Sequence, residues 1–383
     1  RSILSTIAGS MITVAGVAFS IVIVALTLAS SQFGPRLLRN FMKDRVNQFV
    51  LGSFVATFIY CLLVMRTIQP GEDTSFVPGI SVIVAVLSAL FNVGVLIYFI
   101  HHVSTTIQAD HVVAVVYSDL TTQLNKQFPD AATGSEDDPA EEKPQATSSQ
   151  HALELPSPAG GYLRAVDWNG LVKAAREHSL VLRVLHYPGK LVVERQCLAY
   201  IDGAQELDEE SVRRLAGCFI IGSQRSPAQD PEYGVDQLVE VALRALSPGI
   251  NDPFTAIACV DKLSLALCML AGRRFPPAHH HDEEGTLRVI ARTATFASIL
   301  DAAFDQIRQY SRDSVAVMIR QMEALTLIAR HTRTRQQATA VMRQAKMILA
   351  GCSDVFPVKG DREDLQRRYD ELAEVLSGML DLD

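Results

Sequence analysis

The sequence predicts an α-helical transmembrane bundle followed by a mainly helical α+β cytosolic domain with a small β module. Three observations support this fold class. Hydrophobic residues make up 48% of the 383 residues and concentrate before residue 118. Three stretches in that part reach the roughly 20 apolar residues that a bilayer crossing needs. The remainder alternates short strand-like segments with amphipathic helical patterns, which is typical of a soluble α+β domain.

The predicted transmembrane domain covers residues 1–128, with helices at about 3–30, 49–68 and 78–103 and the last helix extending into the cytosol. The connection after the first helix carries four basic residues and one acid between Arg36 and Arg45. The connection after the second helix carries two acids and no Lys or Arg. The positive-inside rule therefore places the first connection and everything after the third helix in the cytoplasm. Three crossings would leave residue 1, which is Arg and not Met, on the outer side, so we expect a further helix to precede it and return the N-terminus to the cytoplasm.

Three regions are expected after the membrane domain. Residues 129–158 are rich in acidic residues, Pro, Ser and Thr and predict a flexible linker. Residues 159–205 predict a small β module, with strands at about 161–166, 180–186, 191–193 and 198–201 and a helix at 168–178. Residues 206–383 predict a helical cytosolic domain.

The helices of this last domain are predicted from apolar periodicity and capping residues. One begins at Asp208 or Ser211 and carries Cys218 and Phe219 on its apolar face. Asp252 is expected to cap another, because Pro253 suits the first helical position. The remaining predicted elements are helices at 234–246, 295–310, 314–331, 336–349 and 362–380 and a strand at 287–291.

Composition excludes several classes of function. The net charge of -7 argues against nucleic-acid binding. The six cysteines form no CxxC pair, so reduced thiols are expected, and no motif indicates a cofactor. The run His279–Asp282 reads as a surface loop between prolines and acids, so no metal site is expected there.

Two long segments carry a family resemblance. Ser30–Phe41, with the sequence SSQFGPRLLRNF, and Ala245–Ala256, which contains ALSPGINDP, resemble the signature segments of a bacterial family of predicted inner-membrane proteins of unknown function. The resemblance implies a multi-pass protein of the bacterial inner membrane with about four helices, the first of them absent here, and a cytoplasmic C-terminal domain. It implies no activity and no catalytic residues.

The first predicted helix carries a regular stripe of mostly hydroxyl-bearing residues. Steps of three and four residues place them on one helical face. The members are Thr6, Ser10, Thr13, Val17, Ser20, Val24, Thr27 and Ser31. Such a face either packs against a neighbouring helix or lines water.

The water-lining alternative predicts an ion channel. One subunit with three or four helices cannot enclose this pore, so a homo-oligomer is required. Arg36 and Arg39 would then ring the cytosolic mouth and favour anions, while the acidic cytosolic domain would oppose that preference. The expected partners are the lipid bilayer, further copies of the chain, and an inorganic ion or small-molecule ligand.

Two other classes of function stay open. In a membrane-anchored sensor or scaffold, the cytosolic domain would bind a ligand, and the candidate residues are Arg225, Asp230, Asn251 and Asp252. The same residues would form the site of an enzyme. Catalysis is the weaker expectation, because capping explains Asp252 and no nucleotide, zinc-hydrolase or serine-hydrolase motif occurs.

Overall fold

A computed structural model of the chain describes residues 1–34, 44–68, 78–130, 152–203, 206–352 and 356–380. It divides into two compact units, Arg1–Val112 and Val113–Asp383. The predicted cytosolic mouth at Arg36 and Arg39 lies outside the described residues, as do the second connection and most of the predicted linker.

The described residues of the first unit form a bundle of three apolar helices, as the sequence predicts. They are α1 (Ser2–Phe33), α2 (Arg45–Thr67) and α3 (Gly79–Thr106). Each is long and apolar enough to cross a membrane. Phe54 of α2 and Phe99 of α3 are fully buried and belong to one core cluster with Met11 and Ala18 of α1. Small side chains on the packed face of α1 let α2 approach closely, and these include Ala8, Ala15, Ala18 and Ala29.

Two residues separate α3 from the next helix, α4 (Ala109–Gln127), and the division between the units falls inside α4. The sequence predicts one helix that continues past residue 103. The structure instead ends α3 at Thr106 and starts a new helix at Ala109.

The second unit contains two small sheets packed with short helices. The first half of this unit comprises β1 (Leu153–Pro156), β2 (Gly161–Val166), α5 (Trp168–Glu177), β3 (Val181–Val184), β4 (Leu191–Val192), β5 (Cys197–Asp202), α6 (Glu209–Gly217) and β6 (Phe219–Gly222). A five-stranded sheet has the order β1-β5-β3-β8-β7, with β7 (His279–His281) and β8 (Leu287–Ile290) supplied from far along the chain. Only β3 and β8 pair in parallel among the described strands. A three-stranded antiparallel sheet has the order β4-β2-β6.

The rest of the second unit is a helical layer. It consists of α7 (Glu232–Ala245), α8 (Pro253–Ala271), α9 (Phe296–Tyr310), α10 (Val315–Ala329), α11 (Arg335–Cys352) and α12 (Lys359–Leu380). The predicted start of α8 is confirmed: Asp252 accepts hydrogen bonds from the N–H groups of Phe254 and Thr255. The predicted start of α9 is also confirmed, by a capping box between Thr295 and Ser298.

By length and composition α8 is a fourth candidate membrane span. More than half of its most apolar stretch is buried inside the second unit, between α7 and α10. Asp261 in its middle pairs with Arg320 of α10 at 2.5 Å. Packing within the helical layer therefore accounts for its apolar composition.

Three local predictions are wrong. Cys218 and Phe219 do not lie on a helical face, because α6 ends at Gly217 and Phe219 begins β6. His279–His281 is an edge strand of the larger sheet and not a loop. Residues 153–156, inside the predicted linker, form β1, since the buried Leu155 adds them to the sheet beside β5.

Candidate functional site

The predicted pore-lining residues share one exposed face of α1, which we call the hydroxyl face. All eight side chains are exposed in the single chain: Thr6, Ser10, Thr13, Val17, Ser20, Val24, Thr27 and Ser31. The buried residues of α1, among them Ala8, Met11, Ala15 and Ala18, point to the other side of the helix, where α2 and α3 pack. Packing among the residues that the structure describes therefore does not explain the hydroxyl face.

The hydroxyl groups on this face are bonded to their own helix. Thr6, Thr13, Ser20 and Thr27 each donate to the carbonyl oxygen four residues earlier, over 3.0, 2.8, 3.0 and 2.9 Å. Ser31 donates to the Leu28 carbonyl over 2.9 Å. Each proton is thus directed along the helix, and the oxygen lone pairs remain available as acceptors on the outer side.

The hydroxyl face repeats every seven residues. Thr6, Thr13, Ser20 and Thr27 form one such series. Gly9 and Gly16 have the same spacing, and a Cβ atom placed on either would meet no atom within 4 Å. A seven-residue repeat keeps one face of a helix directed at a partner along a left-handed seam. Gly9 and Gly16 therefore leave space for a partner helix to approach α1 closely, and no described residue of the chain fills that space.

A groove of about 500 Å³ runs beside the hydroxyl face. Thr13, Ser20 and Val24 contribute to one wall, and Val103 and Ile107 contribute to the other. Its lining is mostly apolar. The groove borders the cytosolic half of α1 in the predicted orientation.

A polar cluster that sequence reasoning missed lies inside the three-helix bundle. Asn92 of α3 is only 2% exposed. Its Nδ2 donates to Thr57 Oγ1 of α2 at 2.8 Å and lies 3.4 Å from Met11 Sδ of α1. Its Oδ1 atom is buried without a hydrogen-bond partner. Asn92 therefore links all three helices, and the sequence signal was a single amide within an otherwise apolar span.

A second polar contact joins two helix ends in this unit. His102 Nε2 of α3 lies 2.6 Å from Asp44 Oδ2, and Asp44 also caps α2 through the Val46 N–H. Tyr98 stacks on the His102 ring. His102 thus has a structural role at the end of the span.

In the second unit, Arg225 and Asp230 belong to a buried charged cluster. Arg225 bonds Asp230 at 2.8 Å and Asp236 at 2.5 Å. Burial raises the pKa of Asp230, and the neighbouring Arg225 opposes that rise. Gly189, at φ +100°, lies directly against the Asp230 carboxylate. These contacts tie the turn between β3 and β4 to the start of α7.

The neighbouring Glu232 strengthens the same junction. Its carboxylate accepts from Tyr187 Oη at 3.0 Å and from Lys190 Nζ at 3.1 Å. Burial raises the pKa of Tyr187. No local pattern in the sequence predicts this cluster, because the turn residues and α7 are about 40 positions apart.

Asn251 and Asp252 lie elsewhere. Asn251 has φ +51°, and its N–H donates to the Ser247 carbonyl at 2.9 Å. Asp252 caps α8, with Oδ2 accepting from Thr255 Oγ1 at 2.5 Å. The 14 residues of α7 separate these two from Arg225 and Asp230, a length of about 20 Å. The structure therefore does not bring the four predicted ligand-binding residues into one site.

Comparison with known proteins agrees with this membrane architecture. The model of a family described as predicted membrane protein (DUF2254) matches residues 1–326. The chain belongs to this family. Its membership confirms the resemblance carried by the two signature segments, and the protein is a predicted membrane protein with several apolar helices.

Curated relatives come from mycobacteria. The uncharacterized protein Rv1290c of Mycobacterium tuberculosis is 30% identical over 369 residues, which is 94% of this chain and 70% of that protein. The uncharacterized protein Mb1321c of Mycobacterium bovis matches with the same identity and coverage. No solved structure matches the chain at a significant level.

Proposed function

We propose that the chain is one subunit of a homo-oligomeric ion channel in the bacterial inner membrane, with the hydroxyl face of α1 lining a shared pore. The observation that carries the proposal is the position of that face. Eight residues over about seven turns are exposed on the side of α1 that the chain's own packing leaves free. The three described helices enclose no pore by themselves, so symmetry-related copies must contribute equivalent faces.

The chemistry of the face suits hydrated cations. Each of the bonded hydroxyl groups presents lone pairs outward because its proton is held by a backbone carbonyl. Rings of such oxygens can replace or contact the water around a cation. Arg36 and Arg39, at the proposed cytosolic mouth, would favour anions and so oppose the preference of the hydroxyl oxygens for cations.

Two valines interrupt the hydroxyl face and supply a gate. Val17 and Val24 are exposed and one heptad apart, so copies of each would form apolar rings. Narrow apolar rings close pores by dewetting. The charges flanking the spans predict a cytoplasmic position for the second unit, which would regulate this gate.

The two alternatives draw less support. A ligand sensor or an enzyme built on Arg225, Asp230, Asn251 and Asp252 needs these residues in one place, and they lie at opposite ends of α7. Burial and capping contacts already account for Asp230 and Asp252. We therefore propose neither a ligand-sensing nor a catalytic role for them.

The test compares adjacent residues on different sides of α1. Thr13→Cys lies on the hydroxyl face, whereas Ile12→Cys is exposed on another side of the helix. Each variant is reconstituted in liposomes, and ionic flux is measured before and after a charged, membrane-impermeant thiol reagent. Wild-type protein controls for the native cysteines.

We expect modification of Thr13→Cys to reduce flux to the level of protein-free liposomes. Modification of Ile12→Cys and of the wild type should leave flux unchanged. The proposal is wrong if wild-type protein conducts no ions, or if fully modified Thr13→Cys protein conducts as before.

A further inference from the structure

The connection between α7 and α8 presents large apolar side chains to solvent. We call residues 247–254 the α7–α8 tip. Phe254 is 80% exposed and Ile250 is 40% exposed. Tyr310, at the end of α9, is 64% exposed. None of these side chains contributes to the core of the second unit.

Contacts within the second unit show at which end of the helical layer the tip lies. Helix α4 runs parallel to α8: Lys262 Nζ lies 5.2 Å from the Tyr117 ring, and Arg273 bonds Asp130 at 2.7 Å. It runs antiparallel to α7: Leu120 lies against Gly234 near the start of α7, and Gln127, at the end of α4, donates to the Pro227 carbonyl before α7 begins, at 2.9 Å. The end of α7 and the start of α8 are therefore at the same end of the layer as Val113, where α4 enters the second unit.

Helix α10 places Tyr310 at that end too. Arg320 of α10 pairs with Asp261 of α8, and Gln337, after the end of α10, donates to the Ala271 carbonyl at 3.3 Å. Helices α8 and α10 are therefore parallel, and Tyr310, five residues before α10, lies near the start of α8. Three exposed apolar side chains thus share one end of the layer.

This end is also where the chain arrives from the last apolar span. Only Ile107 and Gln108 separate α3 from α4. The chain from Thr106 to Val113 can extend by at most about 25 Å, at about 3.5 Å per residue. The start of α4 within the second unit is therefore tethered close to the end of a membrane-spanning helix. At the opposite end of the layer the exposed residues include Arg330, Arg333 and Arg335.

Three consecutive N–H groups of the tip are paired within the chain and can approach a less polar medium without being left unsatisfied. The N–H groups of Ile250 and Asn251 donate to the Ser247 carbonyl at 3.0 and 2.9 Å, and that of Asp252 donates to the Ala245 carbonyl at 2.7 Å. The Asp252 carboxylate is occupied at the N-terminus of α8. The tip therefore presents the apolar side chains of Ile250 and Phe254 beside the exposed amide of Asn251.

We infer that the α7–α8 tip contacts the membrane surface, with Phe254 and Ile250 inserted at the interface between lipid headgroups and acyl chains. Aromatic side chains are enriched at this depth because their rings are apolar while the interface still hydrates their surroundings. Tyr310 would lie beside them with its hydroxyl group among the headgroups. This contact does not depend on whether α1 lines a pore.

The experiment uses the full chain in lipid vesicles and tryptophan as the probe. Trp168 is the single tryptophan of the chain, so Trp168→Phe gives a background without tryptophan. Phe254→Trp is made in this background, and Leu327→Trp is the matched control, since Leu327 is an exposed apolar residue toward the arginine-rich end. Each protein is reconstituted with ordinary lipids and with lipids brominated near the top of the acyl chains, which quench tryptophan at that depth.

We expect tryptophan at position 254 to be quenched by the brominated lipids and blue-shifted, and tryptophan at position 327 to show neither effect. The inference is overturned if the brominated lipids do not quench tryptophan at position 254. A blue shift without quenching also overturns it, because it would mean that protein and not lipid surrounds this side chain. Quenching at position 327 alone would place the other end of the layer on lipid and would also overturn it. If Trp168→Phe prevents folding, Phe254→Trp is made with Trp168 retained. The quenching of this variant is then compared with that of the wild type, and the additional quenching is assigned to position 254.

Discussion

Asn92 is the residue on which the three membrane helices converge. Its amide donates to Thr57, and its carbonyl oxygen is buried without a partner. Interhelical hydrogen bonds of this kind contribute only modestly in membranes, since the separated helices find other partners. Loss of the side chain would also leave a cavity among α1, α2 and α3.

We expect Asn92→Ala to lower the free energy of unfolding of the first unit by about 1 to 2 kcal/mol, from the lost hydrogen bond and the cavity together. Leu87→Ala is the control, because Leu87 lies on the same helix and is exposed. It should change stability by less than about 0.5 kcal/mol. Helicity followed by circular dichroism during titration with a denaturing detergent measures both. Equal effects of the two substitutions would contradict a linking role for Asn92.

The contrast between Asn92 and the hydroxyl face shows what sequence can predict at this scale. A stripe with a helical period is local information, and the exposed position of all eight residues on one face agrees with that period. The contacts of Asn92 depend on Met11 and Thr57, which lie on two other helices. No periodicity within α3 contains that information.

At the scale of elements, the turn between β3 and β4 is held tightly against Asp230, one of the predicted site residues. Gly189 has φ +100°, where side chains are strained, and a Cβ atom there would lie 2.5 Å from Asp230 Oδ2. The turn cannot move away, since Lys190 and Tyr187 are both bonded to Glu232. The glycine is therefore required by both its conformation and its neighbour.

We expect Gly189→Ala to destabilise the second unit by about 2 to 4 kcal/mol, because strain and displacement of a buried ion pair add together. Gly249→Ala is a matched control, as Gly249 also lies in a connection and its added Cβ would meet no atom within 4 Å. Its effect should stay within about 1 kcal/mol in either direction. Urea unfolding followed through Trp168 fluorescence reports on both variants. A Gly189→Ala protein as stable as the control would show that the turn adapts.

The sequence predicts helices and strands that are determined by residues within or next to them. It does not predict those that form only by pairing with a strand far along the chain. The boundaries of α5 and α8 follow from Asp167 and Asp252, which cap them through their own first turns. The strand β6 follows α6 immediately and gains its identity only by pairing with β2. Likewise β7 is a strand because β8 pairs with it, while its three histidines carry little strand propensity.

At the scale of the whole molecule, the sequence predicts a membrane part and a separate mixed part, and the structure divides the chain into two compact units. The sheet of the second unit joins strands near residue 155 with strands near residue 290. The predicted β module and helical domain thus share one sheet. The order of elements along the sequence does not indicate this, because β3 and β8 form a parallel pair joined by a long crossover.

The proposed pore belongs to an assembly and can be tested as one. Thr13→Cys protein fully modified with a charged thiol reagent is mixed with wild-type protein in varied proportions before reconstitution. If one charged side chain within a shared lumen suffices to block ions, flux depends on assemblies that contain wild-type subunits alone. We expect the remaining flux to fall as a power of the wild-type fraction, with the exponent equal to the number of subunits around the pore.

The control is Ile12→Cys protein modified in the same way, which should leave flux independent of the mixing ratio, since Ile12 lies beside the hydroxyl face and not on it. A linear fall for modified Thr13→Cys would mean that each chain conducts by itself. Because three described helices leave the hydroxyl face of a single chain open on one side, a linear result would contradict a lumen shared between copies.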